Sequence, residues 1–412
     1  MEKMYGLLGE KLEHSYSPFI HSFLGFYTYS LFETNKNDLD KFMTQKDFDG
    51  INVTIPYKQA VIPYCAALSE EACLTGSVNT IIKDACGLLH GHNTDCHGFR
   101  VMLERGRIDP CKKKVLVLGS GGSAKTVRTV LAELGAREIV TISRRGENNY
   151  SNISRHYDAQ IIVNTTPAGM FPDNGNSPLS LAGFNKLLGA ADLIYNPCRT
   201  KFLLEAEQLG IPCVNGLSML AAQAEMASRL FQNGSAQPEL LEIIENAVKK
   251  ETLNVALIGM PGCGKSTVGS ILAQKLNRRF VDIDTEIEKH AGKSIPQIFR
   301  EDGETIFRKY ETRILADESK KSSLVIACGG GIVTRLENLD LLRQNSLIVY
   351  LERDLSELVT EGRPLSQSIG IESLAKQRLP LYKNWSNYTV QAEASPEITA
   401  LKIFESLHTK SP

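Results

Sequence analysis

Two short runs of apolar residues, each leading into a glycine-rich segment, form the clearest pattern along the chain. The first run, residues 115–118, leads into residues 119–124, and apolar positions then recur at helical spacing over 125–134. A continuous apolar run bounded by turn residues is typical of a strand buried in a parallel sheet. The pattern therefore predicts a strand, a tight turn and a helix, followed by strands over 138–143 and 159–164.

The second run, residues 254–258, leads into residues 259–266 and then into a predicted helix over 267–276. Ahead of it, residues 239–250 have the pattern of an amphipathic helix that ends in two lysines, which is favourable at a helix C-terminus. We therefore predict an α/β protein with a domain junction near Lys250.

Composition narrows the class of protein. A length of 412 residues allows two or three domains. The chain has 46 Lys and Arg against 47 Asp and Glu, a net charge of -1, which argues against broad binding to nucleic acid or to acidic membranes. No stretch approaches the about 18 apolar residues of a membrane span, and the first residues lack an apolar signal core, so we expect a cytoplasmic protein. The nine cysteines include no Cys-x-x-Cys pair, which favours reduced thiols.

The first glycine-rich segment fits Gly-x-Gly-x-x-Ala, a pattern that also occurs in ordinary glycine turns. Gly119 permits the tight turn, Gly121 lets the backbone approach a pyrophosphate, and Ala124 is small enough for the helix to pack on the strand. Arg144 follows the second strand, where an NAD site usually carries an acidic residue, and a guanidinium group suits a 2′-phosphate. We therefore predict NADP(H), bound by Gly119, Ser120, Gly121, Gly122, Ser123, Ala124, Ser143 and Arg144.

The second glycine-rich segment fits the more specific pattern Gly-x-x-x-x-Gly-Lys-Ser. In this pattern Lys265 reaches the β- and γ-phosphate oxygens and Ser266 binds Mg²⁺. The sequence therefore predicts a nucleoside triphosphate site whose backbone cradle is Gly262, Cys263, Gly264, Lys265, Ser266 and Thr267.

Residues beyond this loop supply candidates for an acceptor site. Residues 280–284 alternate as a strand, which would place Asp282 and Asp284 on one face, one for metal-bound water and one to accept a hydroxyl proton. The alternative is that Asp284 only caps a helix over 286–290. Three isolated arginines suit a small anionic acceptor and a lid: Arg308, Arg363 and Arg378.

The second half of the chain resembles shikimate kinase. The motifs that carry the resemblance occur in that family's order: residues 259–267, Asp282 and Asp284, Phe307-Arg308, residues 329–331, Arg363-Pro364-Leu365 and residues 378–382. The resemblance implies a P-loop domain of the nucleoside-monophosphate kinase type over 251–412, with ATP and Mg²⁺.

For the site residues, this resemblance implies that Asp284 holds the shikimate 3-hydroxyl as a base. Arg308, Gly330 and Arg378 would bind the carboxylate and ring hydroxyls, and Arg363 would close over the γ-phosphate. Ser266 and Asp282 would hold the metal. The lid before Arg363 is shorter than is usual for the family, with no arginine clearly placed to stack on adenine.

The first half resembles shikimate dehydrogenase across roughly residues 4–248. Its motifs are residues 14–18, 52–58, 77–80, 93–95, the NADP turn, 192–197 and 216–223. The resemblance implies a dehydrogenase over 1–250 with two lobes. The substrate lobe would take about 1–105 and 217–250, and a Rossmann NADP lobe would take about 106–216. Too few residues separate Arg145 from the strand over 159–164 for the usual helix, strand and helix, so we expect an abbreviated sheet edge.

The resemblance also implies the roles of individual side chains in this half. Ser15 and Ser17 would bind the substrate carboxylate, while Leu193 and Gly216 would contact the nicotinamide end. The substrate hydroxyls would be surrounded by Thr54, Asn79, Asp95, Tyr195 and Gln223. Lys58 and Asp95 would be the catalytic pair, because reduction of a ketone needs a proton donor at the developing alkoxide.

Together these observations predict a bifunctional enzyme that reduces 3-dehydroshikimate with NADPH and then phosphorylates shikimate with Mg-ATP. They predict no oligomeric state. Two alternatives stay open. One is a quinate/shikimate dehydrogenase that uses NAD and is joined to a kinase for another small polyol acid. The other is a P-loop module that binds nucleotide for a regulatory purpose without transferring phosphate.

Overall fold

The computed structural model describes residues 3–12, 15–359 and 370–409. The chain divides into two compact units. Unit 1 consists of Met1–Ala168, Ser177–Tyr195 and Glu205–Val248, and unit 2 of Gly169–Asn176, Asn196–Leu204 and Lys249–Pro412. The last division falls between Val248 and Lys249, and two short segments of the predicted NADP lobe group with unit 2. The domain boundaries drawn from the sequence stay a prediction.

Unit 1 begins with a mixed sheet in the order β2-β1-β3-β5-β6-β4. Its strands are β1 (Met4–Gly9), β2 (Thr28–Glu33), β3 (Gly50–Val53), β4 (Ala67–Leu68), β5 (Thr80–Lys83) and β6 (Leu89–His92). Three helices accompany them: α1 (Ser17–His21), α2 (Leu39–Gln45) and α3 (Glu70–Thr75). β3 is buried along its whole length and lies between β1 and β5, and the half-buried Thr54 follows its carboxyl end directly.

The second sheet of unit 1 is wholly parallel, in the order β11-β10-β9-β7-β8. Its strands are β7 (Lys114–Leu118), β8 (Glu138–Ile142), β9 (Ile161–Asn164), β10 (Gly189–Asp192) and β11 (Cys213–Asn215). The helices of this region are α4 (Asp95–Arg105), α5 (Gly122–Glu133) and α6 (Lys201–Gln208). Two further helices, α7 (Leu217–Gln232) and α8 (Glu239–Thr252), share a hydrophobic cluster with α1 instead. β8 is an edge strand, and only a 3-10 segment, Tyr150–His156, lies between it and β9, as the short spacing predicted.

Unit 2 contains a parallel sheet in the order β13-β14-β12-β15-β16. Its strands are β12 (Asn254–Ile258), β13 (Arg279–Asp282), β14 (Leu324–Ala327), β15 (Ser346–Glu352) and β16 (Tyr388–Gln391). The helices are α9 (Lys265–Leu276), α10 (Ile283–Ala291), α11 (Ile295–Glu301), α12 (Gly303–Ser319), α13 (Leu336–Asn345), α14 (Ile371–Trp385) and α15 (Pro396–Thr409). The central strand β12 is buried throughout, as its apolar run predicted.

The helices after both glycine-rich turns begin earlier than predicted. α5 begins at Gly122 rather than at 125, and α9 begins at Lys265 rather than at 267. In each case the last residues of the glycine-rich segment enter the first helical turn, so backbone N–H groups at the helix start face the loop. No helix in the described part of the chain is both long and apolar enough to pass through a membrane.

Candidate active sites

Unit 1 contains a cavity of about 560 Å³. It is lined at the carboxyl ends of strands from both sheets of this unit, which is where open α/β sheets bind ligands. All of the side chains predicted for the dehydrogenase substrate line it: Ser15, Ser17, Thr54, Lys58, Asn79, Asp95, Tyr195 and Gln223. Three of the residues predicted for the cofactor also line it: Ser123, Leu193 and Gly216. The structure therefore brings together residues that are far apart in the sequence.

An ion pair lies in this cavity. Lys58 Nζ donates a hydrogen bond to Asp95 Oδ2 at 2.6 Å, and the two side chains are 28% and 17% exposed. Asp95 is the first residue of α4, where the helix dipole favours a negative charge. Asn79 Oδ1 accepts a hydrogen bond from the N–H of Thr94 at 2.7 Å, which holds the chain immediately before Asp95. The pair can supply a proton and a positive charge to an oxygen in the cavity.

A second group of polar side chains lies at the start of α1, after β10 and on α7. Ser17 N–H donates to Ser15 Oγ at 3.2 Å, so the two serines share one turn. Gln223 Nε2 donates to the carbonyl of Leu220 at 3.1 Å, which leaves its amide oxygen as an acceptor. Burial raises the pKa of the Tyr195 hydroxyl, so this group stays a neutral donor.

The glycine turn after β7 has the shape that a pyrophosphate needs. Gly119 has φ of 108°, and a Cβ there would lie 2.7 Å from Thr165 Oγ1, so only glycine fits. A Cβ on Gly121 or Gly122 would meet no atom within 4 Å, so the backbone is open to a ligand. Ala124 is 2% exposed, on the side of α5 that packs into the core.

The predicted 2′-phosphate contacts lie after β8, on the same sheet edge. Ser143 follows β8 directly, and Arg144 and Arg145 are exposed. Neither guanidinium group makes a hydrogen bond or ion pair with another described residue. Two free cations beside a glycine turn fit a cofactor that carries an extra phosphate.

Unit 2 contains a cavity of about 520 Å³ at the carboxyl edge of its parallel sheet. Most of the predicted kinase residues line it: Gly262, Gly264, Lys265, Ser266, Thr267, Asp282, Asp284, Arg308, Gly330 and Arg378. Cys263 is buried at 1% exposure and is not part of the lining. Arg363 lies outside the described residues.

The loop before α9 has the geometry of a phosphate cradle. Gly262 has φ of 86°, and a Cβ there would overlap the carbonyl oxygen of Val359. Lys265 Nζ donates to the carbonyls of Gly259 and Met260, each at 2.9 Å. Ser266 Oγ donates to Asp282 Oδ2 at 2.5 Å. A hydroxyl and a carboxylate held together beside a phosphate cradle are the oxygen ligands that Mg²⁺ takes at such sites, so the residues fit the predicted metal.

The predicted arrangement of the two aspartates is wrong. The strand β13 ends at Asp282, which is the N-cap of α10, and its carboxylate accepts hydrogen bonds from the N–H groups of Asp284 and Thr285. Asp284 therefore lies in the first turn of a helix and not on an alternating strand, and it is not the cap that the alternative assumed. A helix forms here instead of a longer strand because the Asp282 side chain accepts hydrogen bonds from two backbone N–H groups. Both carboxylates still line the cavity.

Asp284 lies in an environment that suits a base. Burial, followed by the nearby negative charges of Glu311 and Asp282, raises the pKa of its carboxyl group to about 7. A Cβ on Gly329 would lie 2.9 Å from Asp284 Oδ1 and 2.6 Å from Glu311 Oε1, so both acids face this glycine. A carboxyl group with a pKa near neutrality can accept a proton from a substrate hydroxyl.

Two buried arginines complete the acceptor side of this cavity. Arg308 Nη1 donates to Glu311 Oε2 at 2.7 Å, and its Nη2 donates to Glu304 Oε1 at 3.1 Å. Arg378 Nη1 donates to the carbonyl of Gly330 at 3.1 Å. Each guanidinium group has five N–H donors, so both keep donors for an anion.

Several residues that line the two cavities were not predicted from the sequence. In unit 2 these include Glu311 and Arg353. Glu311 could have been found, because it follows Arg308 by three positions on α12 and so shares its helix face. Arg353 follows β15, and its Nη1 would be 4.0 Å from a Cβ on Gly264, at the phosphate end of the cavity. In unit 1, Lys11 lines the cavity, and no motif marks it.

Comparisons with known proteins find a different family match in each half of the chain. A family model described as shikimate kinase matches residues 261–408, and one described as the shikimate dehydrogenase substrate binding domain matches residues 7–81. The NADP(+) shikimate dehydrogenase of Clostridium perfringens (strain SM101 / Type A) is 36% identical over 258 residues, which are 56% of this chain and 92% of that protein.

Solved structures show the same likeness. A chorismate mutase/shikimate 5-dehydrogenase fusion protein from Clostridium acetobutylicum has a TM-score of 0.57 and 37% identity, covering 60% of this chain and 97% of that one. The shikimate 5-dehydrogenase of Thermus thermophilus, solved with NADP(H) and shikimate, has a TM-score of 0.54 and 31% identity, covering 60% and 99%.

Two nucleotide-type turns, each beside a cavity with its own acid and base groups, define an enzyme with two reaction sites. The chain belongs to the shikimate dehydrogenase family and carries a shikimate kinase domain at its C-terminal end. It is a bifunctional enzyme of the shikimate pathway.

Proposed function

We propose that unit 1 reduces 3-dehydroshikimate to shikimate with NADPH and that unit 2 phosphorylates the 3-hydroxyl of shikimate with Mg-ATP. The observation that carries the proposal is that each cavity is lined by the acid or base its reaction needs. Lys58 and Asp95 lie together in one cavity, and Asp284 lies beside the phosphate cradle in the other. We expect both reactions to take place in the cytoplasm on small molecules alone.

In the dehydrogenase reaction, NADPH supplies the hydride. Negative charge then develops on the ketone oxygen, and a positioned ammonium group stabilises that charge and donates the proton. Lys58 is suited to this role because Asp95, at 2.6 Å, orients its ammonium group in the cavity. Ser15 and Ser17 would bind the substrate carboxylate, and Thr54, Asn79, Tyr195 and Gln223 would bind its hydroxyls.

We assign NADP rather than NAD to this half. Arg144 and Arg145 follow β8 and have no ionic partner among the described residues, which suits the 2′-phosphate of NADP. The similar shikimate dehydrogenase from Clostridium perfringens is named as an NADP(+) enzyme. Leu193 and Gly216 line the cavity and would contact the nicotinamide.

In the kinase reaction, Asp284 would accept the proton of the 3-hydroxyl. Mg-ATP supplies the phosphoryl group, with Ser266 and Asp282 placed for the metal and Lys265 for the phosphates. Arg308, Arg378 and the backbone of Gly330 would bind the carboxylate and ring hydroxyls, since guanidinium groups bind carboxylates at two points. Arg363 is assigned to the γ-phosphate on the resemblance alone.

A coupled assay tests this proposal. The full chain is given 3-dehydroshikimate, NADPH and Mg-ATP, with NADPH followed by absorbance, shikimate by proton NMR and shikimate 3-phosphate by phosphorus NMR. We expect NADPH to be consumed and shikimate 3-phosphate to form. Absence of NADPH consumption contradicts the dehydrogenase assignment, and accumulation of unphosphorylated shikimate contradicts the kinase assignment. Faster turnover with NAD and quinate, or phosphorylation of gluconate instead of shikimate, would favour the alternative enzyme pair.

A further inference from the structure

The charges of the described residues that line the cavity of unit 1 do not cancel. The charged residues among them are Lys11, Lys58 and Asp95. Lys58 and Asp95 neutralise one another at 2.6 Å. Lys11 makes no hydrogen bond or ion pair with any other described residue. The described lining therefore carries a formal net charge of one positive unit, and that charge is on Lys11.

Lys11 lies on the loop that follows β1, and it lines the same cavity as the two serines. The neighbouring Leu12 is 3% exposed, and its N–H donates to Glu33 Oε1 at 2.8 Å. The N–H of Ser15 donates to the carbonyl of Leu12 at 3.0 Å. Lys11 is thus the direct neighbour of a residue that is hydrogen-bonded to Ser15, and both Lys11 and Ser15 line the same cavity.

The same loop is packed against the substrate side of the cavity. A Cβ on Gly9 would lie 2.6 Å from Leu12 Cδ2 and 2.8 Å from Thr54 Cγ2, so the missing side chain lets Leu12 and Thr54 approach each other. This contact limits the positions open to the backbone of Lys11. Its four-carbon stem can then carry the ammonium group over the serine hydroxyls.

Serine hydroxyls can hydrogen-bond a carboxylate, but they do not balance its charge. Moving a carboxylate from water into a cavity without an opposite charge is unfavourable. Lys58 is not available for this purpose, because Asp95 already neutralises it. We propose that Lys11 is the counter-ion of the substrate carboxylate and makes the dehydrogenase selective for monoanionic substrates. The proposal rests on the proposed function, which places that carboxylate at Ser15 and Ser17.

Steady-state kinetics on the full chain test this role. Shikimate oxidation by NADP⁺ is measured for the wild type, Lys11→Met, Lys11→Arg and a control, Lys41→Met, which removes an exposed lysine of α2 that is not part of the cavity lining. Each protein is assayed with shikimate and with its uncharged methyl ester.

We expect Lys11→Met to raise KM for shikimate about 10-fold, the effect of losing one hydrogen bond to a charged group. kcat should change less than KM, because a carboxylate contact is the same in ground state and transition state. KM for NADP⁺ and KM for the methyl ester should be unchanged. Lys11→Arg should keep most of the affinity, and Lys41→Met should match the wild type.

Other outcomes overturn the role of Lys11. If Lys11→Met has the wild-type KM for shikimate, or if it weakens the ester and the acid equally, Lys11 is not a counter-ion. If it raises KM for NADP⁺ instead, the ammonium group faces the cofactor. A wild-type protein that oxidises no shikimate contradicts the proposed function itself, and the inference falls with it.

Discussion

Single side chains decide the chemistry of both cavities, and Lys58 is the first of them. Lys58→Met keeps the aliphatic stem and removes the ammonium group that faces Asp95 at 2.6 Å. We expect kcat of the dehydrogenase to fall roughly 10²- to 10⁴-fold, the usual contribution of a positioned acid, while KM changes only a few-fold. Kinase activity of the same preparation serves as the control. A normal dehydrogenase kcat in the variant would remove Lys58 from the mechanism.

The raised pKa of Asp284 leads us to predict how kinase activity depends on pH. Its pKa is raised to about 7, so the carboxyl group is protonated and unable to accept a proton below that pH. kcat/KM for shikimate should therefore fall as pH decreases from 8 to 6. Glu311 contributes to the raised pKa, so Glu311→Gln should move the midpoint of this fall to lower pH. A flat profile over this range, or an unchanged midpoint in the variant, contradicts the assignment of Asp284 as base.

At the scale of one element, α12 pairs one arginine with two acids of very different burial. The side chain of Glu311 is 0% exposed and that of Glu304 is 48% exposed, and both bond to Arg308. Glu311→Gln removes the buried anionic partner of Arg308 and leaves only the exposed Glu304, and we expect the free energy of unfolding to fall by about 1.5–3 kcal/mol. Glu304→Gln, the matched control, should cost under about 1 kcal/mol.

The single tryptophan makes this comparison measurable in the full chain. Trp385 is 5% exposed in the core of unit 2, so its fluorescence during urea unfolding reports on that unit. Equal losses for the two variants would contradict the burial difference on which the prediction depends.

Two glycines of the turn after β7 differ in what their substitution should affect: Gly119 should affect both folding and cofactor binding, and Gly121 cofactor binding alone. Gly119→Ala forces a residue with φ of 108° to accept a Cβ 2.7 Å from Thr165 Oγ1, so both stability and NADPH affinity should fall. Gly121→Ala meets no protein atom within 4 Å. Its methyl group would instead occupy the space that a pyrophosphate needs, so KM for NADPH should rise about 10-fold or more with the melting temperature unchanged. Thermal unfolding followed by circular dichroism, with NADPH kinetics, checks both variants.

The elements show why the sequence predicted some features and not others. The buried strands β7 and β12 were predicted because continuous apolar runs follow directly from burial on both faces. The start of α10 directly after β13 was not predicted, because alternating residues fit a strand and a first helical turn equally well. The hydrogen bond from the Asp284 N–H to the Asp282 carboxylate favours the helix there, and the sequence alone does not show the direction of that carboxylate. Lys11 and Arg353 belong to no motif, and only the fold brings them to the cavities.

The whole chain has a net charge of -1, so its anionic substrates must be bound by a few cationic side chains in the cavities and not by a basic surface. Among the described residues, those that line each cavity belong to one unit. Lys265 lines the cavity of unit 2, and Lys58 lines that of unit 1. Lys265→Met should therefore abolish phosphorylation and leave dehydrogenase kinetics unchanged. Lys58→Met should lower dehydrogenase kcat and leave kinase kinetics unchanged.

These two variants test whether the intermediate passes through solvent. Because the described lining of each cavity comes from one unit, we expect shikimate to leave one site and bind the other from solution. An equimolar mixture of Lys58→Met and Lys265→Met, at the same concentration of intact sites as the wild type, should form shikimate 3-phosphate with the same lag and steady-state rate. Adding excess unlabelled shikimate to labelled 3-dehydroshikimate should dilute the label in the product equally in both samples. A shorter lag in the wild type, or label retained only there, would show direct transfer between the sites.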